Sequence, residues 1–316
     1  MQIDERSQRL YSKLSQDLGD IILNYLADDN VTEIMLNPDG HLWVDEIQHG
    51  QKLVGTLSNA QANAILYSVA GLNHLIISPS SPRLEAQFPH FSPMQGERLT
   101  AQLPPVVAAP SFTIRKRAKK IFSLENYLTS GRINLNDVAL LKNAIIQRKN
   151  ILVCGGPGSG KTTFTNALIQ FAVYENSNQR FLLLEDTPEL QCTAPNSVAM
   201  LTSDTVSMRD LLKSAMRMRP DRILIGEVRG AEALDMLKAW NTGCPGGICT
   251  IHANGPMEAL QRVADLSLEA GILHAPSSLI YQTIDVVVFV RRHLNQSGFI
   301  HSIYQPTQPS LKENVS

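Results

Sequence analysis

The sequence contains few cysteines, no long apolar run and almost no net charge. Four cysteines occur among 316 residues, and none belongs to a C-x-x-C pair, so a zinc site is not expected. The longest apolar segments, such as residues 286–290, are far too short to span a bilayer. The formal net charge of −1 indicates no global attraction to nucleic acid or anionic lipid. Residues 1–9 are polar, and no apolar segment follows them, which predicts that there is no signal peptide. We therefore expect a cytoplasmic protein with reduced thiols, in contact with a membrane only peripherally or through a partner.

The composition and the pattern of apolar residues predict two domains. Apolar residues make up 43% of the chain and charged residues 18%, as in ordinary globular proteins. We predict an α+β domain over residues 1–117, a linker over 118–135 and an α/β domain over 136–316. The second domain should contain a mostly parallel sheet, because apolar strands alternate with helices there. Its predicted strands are residues 151–154, 181–184, 223–225, 248–251 and 284–290.

A glycine-rich segment between a predicted strand and a predicted helix carries the strongest functional signal. Residues 155–162 fit the pattern G-x-x-x-x-G-K-[ST] throughout. Glycines let backbone N–H groups converge on phosphate oxygens, and the helix that follows presents its positive end to the same anion. We expect Lys161 to reach the β- and γ-phosphates of ATP and Thr162 to bind Mg²⁺. The predicted nucleotide-binding residues are Gly156, Pro157, Gly158, Ser159, Gly160, Lys161, Thr162 and Thr163.

Further candidate catalytic residues follow three other predicted strands. Glu185 ends the strand at residues 181–184 and is a candidate Mg²⁺ ligand, directly or through water. Glu227 follows the next strand and would orient or deprotonate the attacking water. Gly226 stands where many P-loop ATPases have a metal-binding aspartate, so the metal role moves elsewhere, with Glu185 as the nearest candidate. His252 lies at the same expected edge and would sense the γ-phosphate. The pattern leaves open which glutamate is the base and which holds the metal.

Arginines are candidates for a further phosphate contact. A finger arginine supplied across a subunit boundary stabilises the charge of phosphoryl transfer. Several arginines surround these segments, Arg229 among them, and the sequence does not select the finger. The basic run at residues 115–120 is the only support for direct DNA binding.

The order of these motifs resembles the secretion-ATPase superfamily of type IV secretion, conjugation and type II or type IV pilus systems. The resemblance covers roughly residues 95–290 and favours the conjugal-transfer branch, because the chain lacks the four-cysteine zinc module of many pilus members. The segments that carry it are residues 96–100, 104–105, 112–116, 155–162, 185–189, 226–229 and 250–254.

The resemblance implies a RecA-like P-loop fold, ATP hydrolysis with Mg²⁺ and assembly as a homohexamer. It makes Arg115 and Arg98 candidates for the phosphate or finger contact. It implies a location at the inner face of the inner membrane, with secretion-channel or pilus-assembly proteins as partners. The expected function is an ATP-driven motor for type IV secretion, conjugative DNA transfer or pilus assembly. A type II secretion or pilus ATPase is the alternative within the family. A P-loop small-molecule kinase and an ATP-switched nucleic-acid-binding module are the alternatives outside it.

Overall fold

The protein is described by a computed structural model, which covers residues 5–46, 49–116, 121–293 and 296–307. The chain divides into two compact units, Met1–Lys119 and Lys120–Ser316. Each unit has its own apolar core and is described by itself.

The first unit consists of two helices beside an antiparallel sheet. In helix α1, residues Leu14, Leu18, Ile22 and Leu26 repeat every four positions and are all buried against the sheet. The six-stranded sheet has the order β3-β2-β1-β8-β7-β4, and β5 pairs with β6. The elements are α1 (Glu5–Ala27), β1 (Val31–Leu36), β2 (His41–Glu46), β3 (Gly50–Thr56), α2 (Asn59–Leu72), β4 (Arg83–Gln87), β5 (His90–Phe91), β6 (Met94–Gln95), β7 (Arg98–Gln102) and β8 (Ser111–Arg115).

The second unit is built around a seven-stranded sheet of order β11-β10-β12-β13-β9-β14-β15, in which only the pairing of β14 with β15 is antiparallel. This confirms the predicted α/β class with a mostly parallel sheet. The elements are α3 (Leu124–Thr129), α4 (Leu135–Ile146), β9 (Ile151–Gly155), α5 (Lys161–Glu175), β10 (Phe181–Glu185), β11 (Ser197–Leu201), α6 (Met208–Ala215), β12 (Arg222–Ile225), α7 (Glu232–Asn241), β13 (Ile248–His252), α8 (Pro256–Leu268), α9 (Ser277–Thr283), β14 (Val286–His293) and β15 (Gln296–Tyr304).

The central parallel strands are apolar because helices cover both of their faces. Every residue of β9, β10 and β12 is buried. Because β9, β10, β12 and β13 run parallel, their carboxyl ends lie at one edge of the sheet, where the loops that follow them meet. This edge carries the candidate site.

Several elements were absent from the expectations. Strand β11 alternates exposed and half-buried residues at the sheet edge and has no apolar run, and α9 is only a short helix. Helix α3 lies within the segment assigned to the linker, and its Leu124 and Tyr127 are buried in the core of the second unit. Residues 118–120 of that linker fall outside the described residues. The domain boundaries stay a prediction.

Candidate nucleotide site

The glycine-rich segment forms the expected loop between β9 and α5. Gly158 and Gly160 have φ angles of +64° and +92°, a backbone region that side chains other than glycine rarely adopt. A Cβ atom at Gly155 would lie 2.2 Å from the carbonyl oxygen of Val290, so no larger residue fits there without a backbone shift. The loop conformation thus requires glycine at these positions.

The side chain of Lys161 lies inside the loop rather than in solvent. Its Nζ donates to the carbonyl oxygens of Gly155 and Gly156, each at 3.0 Å. Nζ also lies 3.1 Å from Nδ1 of His252. The residue is only 7% exposed, so its ammonium group is largely removed from water and is held by dipoles of its own loop.

The first turn of α5 is tied to the segment that follows β10. Thr162 donates its hydroxyl hydrogen to Oε2 of Glu189 at 3.2 Å. Asn166 donates to the carbonyl oxygen of Glu189 at 3.1 Å and accepts from the backbone N–H of Gln191 at 2.9 Å. These contacts fix residues 189–191 against the helix, and Asn166 has no counterpart among the predicted site residues. An asparagine inside a buried helix face was the available signal, but such residues more often have a purely structural role.

Ser159 is the one loop residue with an orphaned side-chain oxygen among the described residues. It is 3% exposed, and its Oγ has no hydrogen-bond partner. A buried hydroxyl without a partner is costly, unless a group that is absent from the chain itself satisfies it. This oxygen therefore fits a loop that wraps a phosphate.

The side chain of Glu185 lies beside the position that a Cβ atom at residue 226 would take. It is 2% exposed, and its Oε1 accepts the backbone N–H groups of Glu189 and Leu190 at 2.8 and 2.7 Å. A Cβ atom on Gly226 would lie 3.1 Å from Cγ of Glu185. The glycine that follows β12 thus leaves room for the side chain of Glu185, at the end of the neighbouring strand β10.

Glu227 is held by an arginine of its own loop. Its Oε2 accepts from Nε of Arg229 at 2.7 Å and lies 2.5 Å from Nη2 of the same residue. Nη1 of Arg229 lies 3.6 Å from Oδ2 of Asp186, at the end of β10. The other oxygen of Glu227, Oε1, lies 3.0 Å from Nε2 of His252, but no described group donates a well-aligned hydrogen bond to it.

His252 bridges Lys161 and Glu227. Burial lowers the pKa of its imidazole, and the charge of Lys161 lowers it further. A neutral ring with Nδ1 facing an ammonium group must accept there, since a lysine only donates. We therefore assign the proton of His252 to Nε2, which faces Glu227.

Cys154, the residue before Gly155 on β9, is buried beneath the loop. Its Sγ lies 3.6 Å from the carbonyl oxygen of Gly255. Burial raises the pKa of the thiol to about 12, and the nearby charge of Lys161 opposes this only in part. The residue therefore behaves as a small apolar side chain, as its place in an apolar strand suggested.

The structure brings Lys161, Thr162, Glu185, Glu227 and His252 to one edge of the second unit. It places the other arginine candidates in the first unit, where Arg98 on β7 and Arg115 on β8 are cross-strand partners. Arg98 lies 3.6 Å from Glu85, and Arg115 lies 3.9 Å from Glu33. Residues 117–120, most of the basic run considered for DNA binding, lie outside the described residues.

Comparison with known proteins gives consistent matches over most of the chain. Residues 56–307 match the family described as "Type II/IV secretion system protein". The chain is 44% identical over 284 residues to the "Probable conjugal transfer protein TrbB" of Sinorhizobium fredii, covering 90% of this chain and 86% of that protein. It is 32% identical to the "Type IV secretion system protein VirB11" of Bartonella quintana, covering 93% of this chain and 96% of that protein.

Solved structures show the same fold. The Legionella pneumophila ATPase DotB aligns with a TM-score of 0.64 at 18% identity, over 90% of this chain and 80% of that chain. The pilus retraction motor PilT with bound ADP aligns with a TM-score of 0.61 at 19% identity, over 85% and 76% of the two chains. At these identities the likeness concerns the architecture alone.

Proposed function

Because the chain belongs to the type II/IV secretion system protein family, we propose that it hydrolyses ATP as a motor subunit of a type IV secretion or conjugation system. One observation carries the proposal. A complete phosphate-binding loop, with Lys161 at its centre, lies at the same sheet edge as Glu227 and His252. The relatives named as conjugal transfer and type IV secretion proteins support the assignment of the motor to a type IV secretion or conjugation system. The kinase and nucleic-acid-switch alternatives gain no support from the comparisons.

The residues of the loop are suited to bind and orient a triphosphate. Binding would take Lys161 from the carbonyl oxygens that hold it now and direct its charge toward the β- and γ-phosphates. Ser159, with its orphaned oxygen, and the backbone N–H groups of residues 158–163 would complete the cradle. Glu227 would orient the attacking water or accept its proton. His252, which lies between Lys161 and Glu227, would couple the position of one side chain to that of the other.

The oxygen donors present fit a magnesium ion held jointly with nucleotide phosphates and water. No described group of three His, Cys, Asp or Glu side chains is arranged to hold a metal ion by itself. Thr162 gives its hydrogen to Glu189, and so its oxygen keeps lone pairs for a cation. Glu185 spends one oxygen on two backbone N–H groups, which suits contact through water more than direct ligation. When bound, Mg²⁺ would neutralise charge on the β- and γ-phosphate oxygens.

We place the motor in a homohexameric ring at the inner face of the inner membrane, with secretion-channel proteins as partners. No helix among the described residues is both long and apolar enough to cross a bilayer. Arg98 and Arg115 remain candidates for the phosphate or finger contact. Arg229 is already engaged with two carboxylates of its own chain.

The proposal is tested by the rate of ATP hydrolysis with Mg²⁺ in two lysine variants. Lys161→Ala should reduce turnover to background, because it removes the charge at the centre of the loop. Lys213→Ala, which changes an exposed lysine in the last turn of α6, should retain the wild-type rate. Equal turnover in the Lys161→Ala and wild-type proteins would refute the site.

A further inference from the structure

The guanidinium group of Arg229 contacts two carboxylates of its own chain. Two of its nitrogens contact the same oxygen of Glu227, and the third lies 3.6 Å from Asp186. The guanidinium is rigid and planar, so contacts on both sides fix its orientation. An arginine used in this way is poorly placed to reach a phosphate of a neighbouring subunit.

Asp186, the second acid at the end of β10, is held in turn. Its Oδ1 accepts the hydroxyl hydrogen of Thr202 at 3.0 Å, and its Oδ2 faces Arg229. Thr202 follows the edge strand β11, and its backbone N–H donates to the carbonyl oxygen of Glu185. A chain of contacts thus runs from the sheet edge through Asp186 and Arg229 to Glu227.

The chain of contacts makes the two oxygens of Glu227 unequal. Oε2 contacts two nitrogens of Arg229, whereas Oε1 has Nε2 of His252 as its one described neighbour, at 3.0 Å. Glu227 is 13% exposed in its side chain, so a free rotation of its carboxylate would be limited by burial as well as by the arginine. Oε1 keeps a second lone pair beside that contact, so it is the oxygen that can meet a water molecule.

We propose that Arg229 and Asp186 are positioning residues, which hold the Glu227 carboxylate so that Oε1 faces the attacking water. The inference rests on the proposed hydrolysis of ATP and deepens it. Arg229 and Asp186 are 59% and 40% exposed in their side chains, so their pairing adds little to stability. Its contribution is geometric, since a carboxylate displaced by about 1 Å can cost a hundredfold in rate.

The experiment measures kcat and KM for ATP hydrolysis, together with the Kd of a fluorescent ADP, on the full chain. Arg229→Gln should lower kcat between about ten- and a hundredfold while the Kd stays within about twofold of wild type. Arg229→Lys keeps the charge without the fork and should recover part of the loss. Asp186→Asn should lower kcat less, because it acts only through Arg229.

The same substitution in the Glu227→Gln background separates positioning from direct phosphate contact. Single-turnover rates should show no further loss when Arg229→Gln is added to Glu227→Gln, because the group that Arg229 positions is already gone. An equal loss in both backgrounds, or a weakened Kd, would overturn the proposal and indicate contact with the phosphates.

A matched control lies in the same unit. Arg209 on α6 pairs with Asp235 on α7 at 2.6 Å and is 41% exposed in its side chain. Arg209→Gln should leave kcat unchanged. If wild type and Lys161→Ala turn over ATP equally, the proposed function fails. If turnover depends on Lys161 but Arg229→Gln matches wild type, only the positioning role fails. A cooperative thermal transition followed by circular dichroism shows that a variant is folded, and Arg229→Lys replaces Arg229→Gln if that protein is not.

Discussion

His252 is the residue whose protonation most directly tests the geometry of the site. It lies between an ammonium group and a carboxylate, and burial and then the charge of Lys161 lower its pKa. The folded protein therefore binds this proton less readily than the unfolded chain. The resulting stability is complete above the unfolded pKa of about 6.5 and is lost as the pH falls through the lowered value.

The prediction for His252 is an NMR titration midpoint below about 6.5. Proteins with ¹³C-labelled histidine would be titrated, and the His252 signal would be assigned from its disappearance in His252→Gln. In Lys161→Ala the midpoint should move upward, since one of the causes of the shift is removed. A midpoint at or above the ordinary value in the wild type would contradict the assigned contacts.

Individual site residues were predictable where they belong to one continuous sequence motif. Lys161 and Thr162 follow from eight consecutive positions with one strict pattern. The contact between Asp186 and Arg229 joins the ends of different strands, so neither residue carries a local signal of it. The reason for Gly226 also needed the structure, because only the pairing of β10 with β12 shows that Glu185 occupies the adjacent space.

Elements with uniform burial were predictable, whereas the edge strands β3 and β11 were not. Apolar runs such as β9 and β10 are long enough to stand out from their surroundings, and their predicted limits differ from the structure by a single residue. Strand β3 at the edge of the first sheet has exposed residues over Gln51–Leu53, a pattern that an irregular loop would share. Edge strands form because a neighbour offers backbone partners, and that information is absent from their own residues.

A prediction at this scale concerns the turn that leads into β13. A Cβ atom on Gly247 would lie 2.1 Å from the ring of Trp240, which is 2% exposed and donates to the carbonyl oxygen of Ile223. Gly247→Ala should therefore displace Trp240 and destabilise the second unit by about 1–3 kcal/mol. Differential scanning calorimetry measures the change.

The control for Gly247→Ala is Gly71→Ala near the end of α2. A Cβ atom there would meet nothing within 4 Å, and alanine favours a helix more than glycine does. Its melting temperature should equal or exceed that of the wild type. A Gly247→Ala protein as stable as this control would show that Trp240 has room to move.

At the scale of the whole molecule, the proposed ring predicts that activity depends on assembly. The candidate contacts Arg98 and Arg115 belong to the first unit, whereas the proposed phosphate-binding loop belongs to the second. If a neighbouring subunit completes the site, ATP turnover per chain should rise with protein concentration and reach a plateau where the ring predominates. Sedimentation velocity on the same samples gives the population of each species.

Two outcomes of that experiment would count against the ring. One is a turnover per chain that stays constant while the species changes from monomer to oligomer. The other is a plateau reached with monomers alone. The fold of each unit follows from its own residues, but the number of copies in an assembly depends on surfaces that the sequence pattern does not distinguish.

The buried thiol of Cys154 is a natural chemical probe of β9, the strand that precedes the glycine-rich loop. Alkylating reagents attack thiolates, and with a pKa of about 12 almost none is present in the closed protein at neutral pH. Modification at this position would therefore require the end of β9 to open. The rate at which iodoacetamide labels Cys154 would then report how often the end of β9 opens. The same rate with nucleotide present would show whether binding prevents that opening.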